Sequence, residues 1–109
     1  MDTETIARVT RNLTETAERI GISFDELIVF GSRARDDYRK GSDIDILMVS
    51  SDFEGMAYYK RPKLFYRHWE YDELPDPEFI CLTPAQFEER KTKQPHIVRT
   101  AVNEGVSVT

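Results

Sequence analysis

Residues 27–49 of the chain read LIVFGSRARDDYRKGSDIDILMV: two apolar runs separated by a polar segment. The first run ends at Gly31-Ser32, and the second begins around Asp43 and Asp45. Both runs have the length and apolar character of buried strands. Because side chains alternate between the faces of a strand, Asp43 and Asp45 are predicted to project from the same face. The stretch therefore predicts two core strands, with a pair of carboxylates at the start of the second.

The second apolar run is apolar on both of its faces. Leu47 and Val49 share a face with the two aspartates, and the alternate positions over 44–48 form the other face. A strand buried on both faces lies inside a sheet, so its carboxylates need a compensating charge. A hard divalent cation such as Mg2+ takes oxygen ligands and completes its shell with substrate phosphates. The pattern predicts a metal–nucleotide site, and the alternative is a pair of strand-end charges in contact with water.

Gly31 and Ser32 are candidate phosphate ligands. Glycine lets the backbone approach a ligand closely, and Ser32 is predicted to start a short helix whose N–H groups and hydroxyl could hold phosphate oxygens. The alternative is an ordinary strand-to-helix turn. The sequence contains no Gly-x4-Gly-Lys-Ser/Thr loop, so a Walker-type phosphate loop is excluded.

Polar and cationic residues between the two runs extend the candidate nucleotide-binding set. Arg33, Arg35, Arg39 and Lys40 could reach phosphate oxygens, since arginine matches phosphate geometry with a planar fork. Arg33 and Lys40 are favoured because they lie next to the motif, and Ser42 joins the set as the neighbour of the aspartates. Solvated surface charge is the alternative for each cation.

Glu78 is the candidate third carboxylate. It follows Pro77 at the start of a third apolar run, and alternation places it on one face with Ile80 and Leu82. If this strand lies beside the second one, Glu78 could complete the metal site or accept the proton of an attacking hydroxyl. Asp76 is the fallback for this role, and a simple strand-end charge is the alternative.

The motif Gly-Ser-x10-Asp-x-Asp, formed by Gly31, Ser32, Asp43 and Asp45, resembles the signature of the DNA polymerase β superfamily of nucleotidyltransferases. Within it, the chain is most similar to the minimal nucleotidyltransferases of prokaryotes. The segment 78–84 (EFICLTP) also fits, although the family more often has aspartate at the position of Glu78. The resemblance implies an α/β (α+β) fold of the polymerase β-like type, in which one domain over residues 1–109 contains a small mixed β-sheet flanked by helices.

The same resemblance implies the chemistry. The chain would transfer a nucleoside monophosphate, AMP from ATP, to a hydroxyl of an acceptor. Asp43, Asp45 and Glu78 would be the catalytic residues and the ligands of Mg2+ or Mn2+ in a two-metal mechanism, and Gly31 and Ser32 would hold the triphosphate. The chain has no room for an acceptor-binding domain, so a partner must supply the acceptor. In this family the partner is often a helical HEPN-type protein.

Two other functions remain open. A non-catalytic, antitoxin-like module would keep the fold and mask a HEPN-type partner. A transferase acting on a small hydroxyl compound is the third reading. The intact pair Asp43 and Asp45 favours an enzyme, because a masking module does not need adjacent carboxylates on a buried strand.

Composition restricts the partners and the location. The net charge of −5 argues against binding along nucleic acid without excluding it, since such binding depends on Lys and Arg. The single Cys81 excludes an intrachain disulfide and favours a cytoplasmic protein. No apolar stretch approaches the about 18 residues that span a bilayer, and the N-terminus lacks a signal peptide pattern, so we expect no membrane association.

The remaining elements follow from periodicity and turn residues. The segment 60–69 mixes basic and aromatic residues, which fits a base-stacking surface or, as we favour, a helix with a buried stripe (Leu64, Phe65, His68, Trp69) and a basic outer face. The edge strand at 106–108 could support a homodimer. The predicted elements are helix 3–20 ending at Gly21, strands 26–30, 43–49 and 78–82, a helix within 57–69, a capping box at 83–86 and a helical pattern ending at Gly105.

Overall fold

The computed structural model describes residues 2–35, 39, 41–93 and 96–108. Its helices are α1 (Thr3–Ile20), α2 (Lys63–Tyr66), α3 (Pro84–Arg90) and α4 (Ile97–Glu104), with 3-10 turns at Ser51–Phe53 and Tyr58–Lys60. Its strands are β1 (Glu26–Phe30), β2 (Ile44–Val49), β3 (Pro77–Leu82) and β4 (Val106–Ser107).

Helix α1 forms as its periodicity predicts. The Asp2 side chain caps its start by accepting a hydrogen bond from the Thr5 N–H, and Gly21 ends it in the left-handed region. Its apolar positions, spaced by three and four, are buried against the sheet: Ile6, Val9, Leu13 and Ala17. The capping box at Thr83 and Gln86 is also confirmed, with Pro84 in the first turn of α3.

The four strands form one mixed sheet in the order β3-β2-β1-β4. Strand β2 is antiparallel to β1 and parallel to β3, and β4 is antiparallel to β1. The prediction that the aspartate-bearing strand is central is confirmed, and the condition for a role of Glu78, that its strand lies beside β2, is met. The carboxyl end of β1 therefore meets the amino ends of β2 and β3 at one edge of the sheet.

Helices cover both faces of this sheet, as the resemblance implies. Ile44, Ile46 and Met48 pack against α1 and α2 on one face. Leu47 and Val49 pack against α3 and α4 on the other. The alternation predicted for β2 is confirmed, and it places Asp45 on the α3–α4 face.

The prediction of a short helix that starts at Ser32 is wrong for residues 32–35, which the structure describes. Residues 32–34 form a turn in which the N–H groups of Ala34 and Arg35 both donate to the Gly31 carbonyl, at 3.1 and 3.3 Å. The Arg33 carbonyl also accepts a hydrogen bond from the Asp2 N–H at 3.1 Å, which joins this turn to the N-terminal segment. Residues 36–38 and 40 lie outside the described residues.

The segment 57–69 contains helix, as predicted, but only as a 3-10 turn and the four residues of α2. Phe65 and Trp69 are buried in the core, whereas His68 is only half-buried. Tyr58 and Tyr59 are exposed. The buried stripe is therefore confirmed for Phe65 and Trp69, whereas Leu64 and His68 are half-buried, and a base-stacking role for the exposed tyrosines stays a prediction.

The C-terminal residues form the predicted edge strand. Gly105 ends α4, and β4 adds two residues to the outer side of β1. Dimerisation through this edge stays a prediction. The described part of the chain contains no helix with the length and apolarity needed to cross a bilayer.

Candidate active site

Asp45 and Glu78 lie side by side on neighbouring strands. They are register partners in the parallel pairing of β2 with β3, so their side chains leave the same face of the sheet. Their carboxyl groups are within hydrogen-bonding contact. Asp45 is half-buried and Glu78 is exposed, so the pair opens to solvent at the edge of the sheet. Sheet register thus places two of the three predicted carboxylates together.

The other acidic candidates are placed differently. Asp43 is exposed, one residue before β2, and affects Asp45 through its charge. Asp76 is exposed before β3, and its backbone carbonyl accepts from the Ile44 N–H at 2.9 Å. Among the residues that the structure describes, no three His, Cys, Asp or Glu side chains are grouped so as to hold a metal ion. The described geometry therefore provides a carboxylate pair, with Asp43 as its charged neighbour.

The environment of the pair favours a proton on Asp45. Burial, the hydrogen bond to Glu78 and the negative charges of Glu78 and Asp43 raise the pKa of the Asp45 carboxyl from 3.8 to about 6, while the positive charge of Arg35 acts in the opposite direction. Two carboxyl groups in contact resist being ionised together, and a cation between them removes this penalty. The pair is thus a concentrated negative site that a cation would stabilise.

The Gly31-Ser32 turn lies against this pair. Gly31 has a φ of 78°, in the left-handed region, and a Cβ built on it would collide with Oδ2 of Asp45 and lie 3.2 Å from its carboxyl carbon. Ser32 is half-buried, and its hydroxyl has no partner within the described residues. Glycine is needed here for both its φ and its size, so that backbone and carboxylate can approach each other.

The predicted cationic and polar ligands separate into different environments. Arg35 is exposed and close enough to lower the pKa of Asp45, although it is not one of the favoured cations. Arg33 is buried, and its guanidinium donates to Asp2 and to the backbone carbonyl of Ser42. The Ser42 hydroxyl accepts from the Arg39 N–H at 3.0 Å. Lys40 lies outside the described residues.

A family model described as a nucleotidyltransferase domain matches residues 13–108. The chain belongs to this nucleotidyltransferase domain family. The matched range contains the Gly-Ser turn, the aspartates and Glu78. The recognition of a nucleotidyltransferase from the sequence is therefore confirmed.

A solved structure supports the fold of this nucleotidyltransferase domain. A candidate nucleotidyltransferase from Sulfolobus solfataricus superposes with a TM-score of 0.66 and 24% sequence identity, over 97% of this chain and 80% of that chain. At this identity the similarity establishes the fold alone. No protein among the curated ones matches the sequence of this chain.

The donor set of this nucleotidyltransferase domain fits a hard divalent cation. Asp45 and Glu78 offer only carboxylate oxygens, and Mg2+ is commonly bound by one or two carboxylates together with waters and substrate phosphates. The Asp45 carboxylate fills the space that a Cβ on Gly31 would need, so the backbone turn that could hold phosphate lies directly against this carboxylate. The residues present therefore suit a cation shared between the protein and a nucleotide.

The raised pKa of Asp45 predicts a pH-dependent stability in the absence of metal. A pKa raised on folding gives stabilisation that is complete below the unfolded value of 3.8 and is lost as the pH rises through about 6. Relative to Asp45→Asn, the wild type should lose about 1–2 kcal/mol of unfolding free energy between about pH 4 and about pH 7, after allowance for solvent screening. Urea unfolding of both proteins in EDTA measures this difference. Parallel pH profiles would contradict it.

Proposed function

We propose that the chain transfers a nucleoside monophosphate from a nucleoside triphosphate to a hydroxyl of an acceptor. The observation that carries the proposal is the contact of three features at one edge of the sheet: the Asp45–Glu78 pair, the nearby charge of Asp43 and the Gly31-Ser32 turn. Family membership supports the reaction class. ATP is the donor that the sequence resemblance favours.

In this proposal Asp45 and Glu78 hold Mg2+ or Mn2+, and Asp43 adds its charge or becomes a ligand when the nucleotide is bound. The bound cation would neutralise phosphate charge and stabilise the charge that develops at the α-phosphate. Ser32 and the backbone of the turn would bind the triphosphate oxygens, so that the chain mainly positions its substrate. Arg35 is the described cation whose charge reaches the pair.

The transfer step would leave little covalent work to the protein. The acceptor oxygen forms a bond to the α-phosphorus, the bond from that phosphorus to the bridging oxygen of pyrophosphate breaks, and pyrophosphate leaves. Glu78, the more exposed member of the pair, would take the proton of the acceptor hydroxyl. The acceptor belongs to a partner molecule, for which the sequence resemblance suggests a HEPN-type protein in the cytoplasm.

Calorimetric titration with a non-hydrolysable ATP analogue, with and without Mg2+, tests this proposal. We expect binding in Mg2+ that is lost in EDTA and in the Asp43→Asn/Asp45→Asn double variant. EDTA removes the cation, and the double variant removes carboxylates that would hold the cation beside the phosphates. Analogues of GTP and CTP in the same assay measure base preference. Absence of binding to the wild type, or equal binding by the double variant, would contradict the proposal.

The non-catalytic alternative gives a different pattern with a partner protein. A masking module keeps its affinity for the partner in the double variant and needs no nucleotide. The transferase loses modification of the partner in that variant, whatever its affinity. Mass spectrometry of the partner, read for an added nucleoside monophosphate, separates the two functions.

A further inference from the structure

We propose that Arg33 and Asp2 form a buried clamp that positions the Ser42–Asp45 segment against the Gly31-Ser32 turn. Arg33 would then be a positioning residue that acts through the backbone of Ser42, and not a phosphate ligand. Only the consequence of the clamp, tighter nucleotide binding, rests on the proposed function. The clamp itself consists of contacts within the protein.

The clamp joins three segments of the chain, since Asp2 lies 31 residues and Ser42 nine residues from Arg33. Arg33 donates from its Nη1 to Oδ2 of Asp2 at 2.7 Å. Its Nε and Nη2 both donate to the Ser42 carbonyl, at 3.2 and 2.8 Å. The Asp2 N–H returns a hydrogen bond to the Arg33 carbonyl at 3.1 Å. One guanidinium therefore links the start of α1, the turn after β1 and the residue that precedes Asp43.

The contacts of the clamp are shielded from solvent. The Arg33 and Asp2 side chains are only 9% and 11% exposed. A buried guanidinium requires a counter-charge and filled donors, and replacing Asp2 by asparagine removes a counter-charge that is in direct contact with Arg33. Burial alone would raise the pKa of the Asp2 carboxyl, but hydrogen bonds from Thr5 and Arg33 outweigh burial and hold that pKa below its usual value. Asp2 is thus ionised and fixed in place.

The shape of the clamp explains why arginine occupies this position. Two N–H groups of the fork meet the same carbonyl while a third meets the carboxylate, whereas the ammonium of lysine is a single point with no fork. Ser42 is three residues before Asp45 along the chain, so fixing its carbonyl limits how β2 begins. The clamp therefore controls the distance between the turn and the carboxylate pair.

Asp2→Asn tests the clamp because the clamp and simple charge repulsion predict opposite changes in nucleotide affinity. Asparagine remains a good N-cap, so α1 should persist while the ion pair is lost. By charge alone, removing a carboxylate near a phosphate site would strengthen nucleotide binding, and it would also strengthen binding if the released Arg33 touched phosphate. The clamp predicts the opposite: the dissociation constant for the ATP analogue in Mg2+ rises about tenfold. Effects of this size are typical when a residue that orients a metal ligand is replaced.

The matched control is Asp25→Asn, which makes the same charge change at the other end of β1, where Asp25 accepts from the Ser51 N–H. This variant should bind the nucleotide analogue as the wild type does. Arg33→Lys should weaken binding about as much as Asp2→Asn, because it keeps the charge and loses the fork. Tighter binding in Asp2→Asn, or rescue by lysine, would overturn the clamp.

Amide hydrogen exchange decides the clamp independently of any nucleotide. In Asp2→Asn, and not in Asp25→Asn, amides over 31–35 and 41–45 should exchange at least about tenfold faster, while those in the middle of β2 keep their protection. Unchanged exchange in these segments would overturn the clamp even if nucleotide binds. A wild type that binds no nucleotide would instead contradict the proposed function, and the exchange result would still stand.

Discussion

Replacing Asp45 by asparagine is expected to reduce nucleotidyl transfer more than about a hundredfold. Replacing a residue that only hydrogen-bonds to a metal ligand typically costs about 10- to 100-fold in metal affinity or activity, and Asp45 is itself a carboxylate of the pair. Asparagine keeps the shape of the side chain but removes the charge that would hold the cation beside Glu78. The strand should still form, because the contacts of β2 are those of its apolar residues on both faces.

The measurement is the transfer of label from ATP carrying its label on the α-phosphate, with a cell extract as the source of acceptor. Asp72→Asn, an exposed aspartate in a turn, provides the same charge change as a control. Comparing Glu78→Gln with Asp76→Asn identifies the third carboxylate, and we expect the larger loss for Glu78→Gln. Full transfer by Asp45→Asn would contradict the assignment of the site.

Replacing Gly31 by alanine is expected to abolish Mg2+-dependent nucleotide binding while costing only about 1–2 kcal/mol of unfolding free energy. The stability cost comes from forcing a residue with a Cβ to a φ of 78°. The functional cost comes from the collision of that Cβ with Asp45 Oδ2, the free end of a side chain that can rotate aside. The fold survives this rotation, but the carboxylate leaves the Glu78 pair.

Gly55→Ala is a matched control for this prediction. Gly55 has the same φ of 78°, and a Cβ built there meets no atom of the described residues within 4 Å. Both variants should therefore lose similar stability in urea unfolding, and only Gly31→Ala should lose binding of the ATP analogue in calorimetry. Equal binding by the two variants would show that the Asp45 carboxylate does not need its present position.

Local signals explain why most of the fold could be predicted. The period of α1, the alternation in β2 and the Thr83 capping box each depend on neighbours a few residues apart. The motif also placed Asp45 and Glu78 on strands that proved adjacent. In the first three cases the residue and the partner that fixes its conformation lie in the same short segment, whereas the pairing of the Asp45 and Glu78 strands was only a condition in the sequence analysis and is supplied by the structure.

The contacts that the sequence did not reveal join residues that are distant along the chain. Arg33 lies in the motif and forms an ion pair with Asp2, 31 residues away in the sequence. The Arg33 carbonyl also accepts from the Asp2 N–H, a second contact with the N-terminal segment that no local pattern signals. Arg61 is buried for a similar reason, since its guanidinium donates to the Cys81 carbonyl and to Gln86 Oε1. No short-range pattern could have revealed these pairings.

The pairing of Asp45 with Glu78 by sheet register has a consequence for how the chain can change in length. The connection between β2 and β3 can gain or lose residues without moving the carboxylates, provided that the two strands keep their alignment. A single-residue shift of β3 against β2 would instead bring Phe79 opposite Asp45 and turn Glu78 to the other face. Length variation among related chains should therefore concentrate in the exposed turns between residues 50 and 76, away from the buried Phe53, Phe65 and Trp69, and the ends of the two strands should tolerate none.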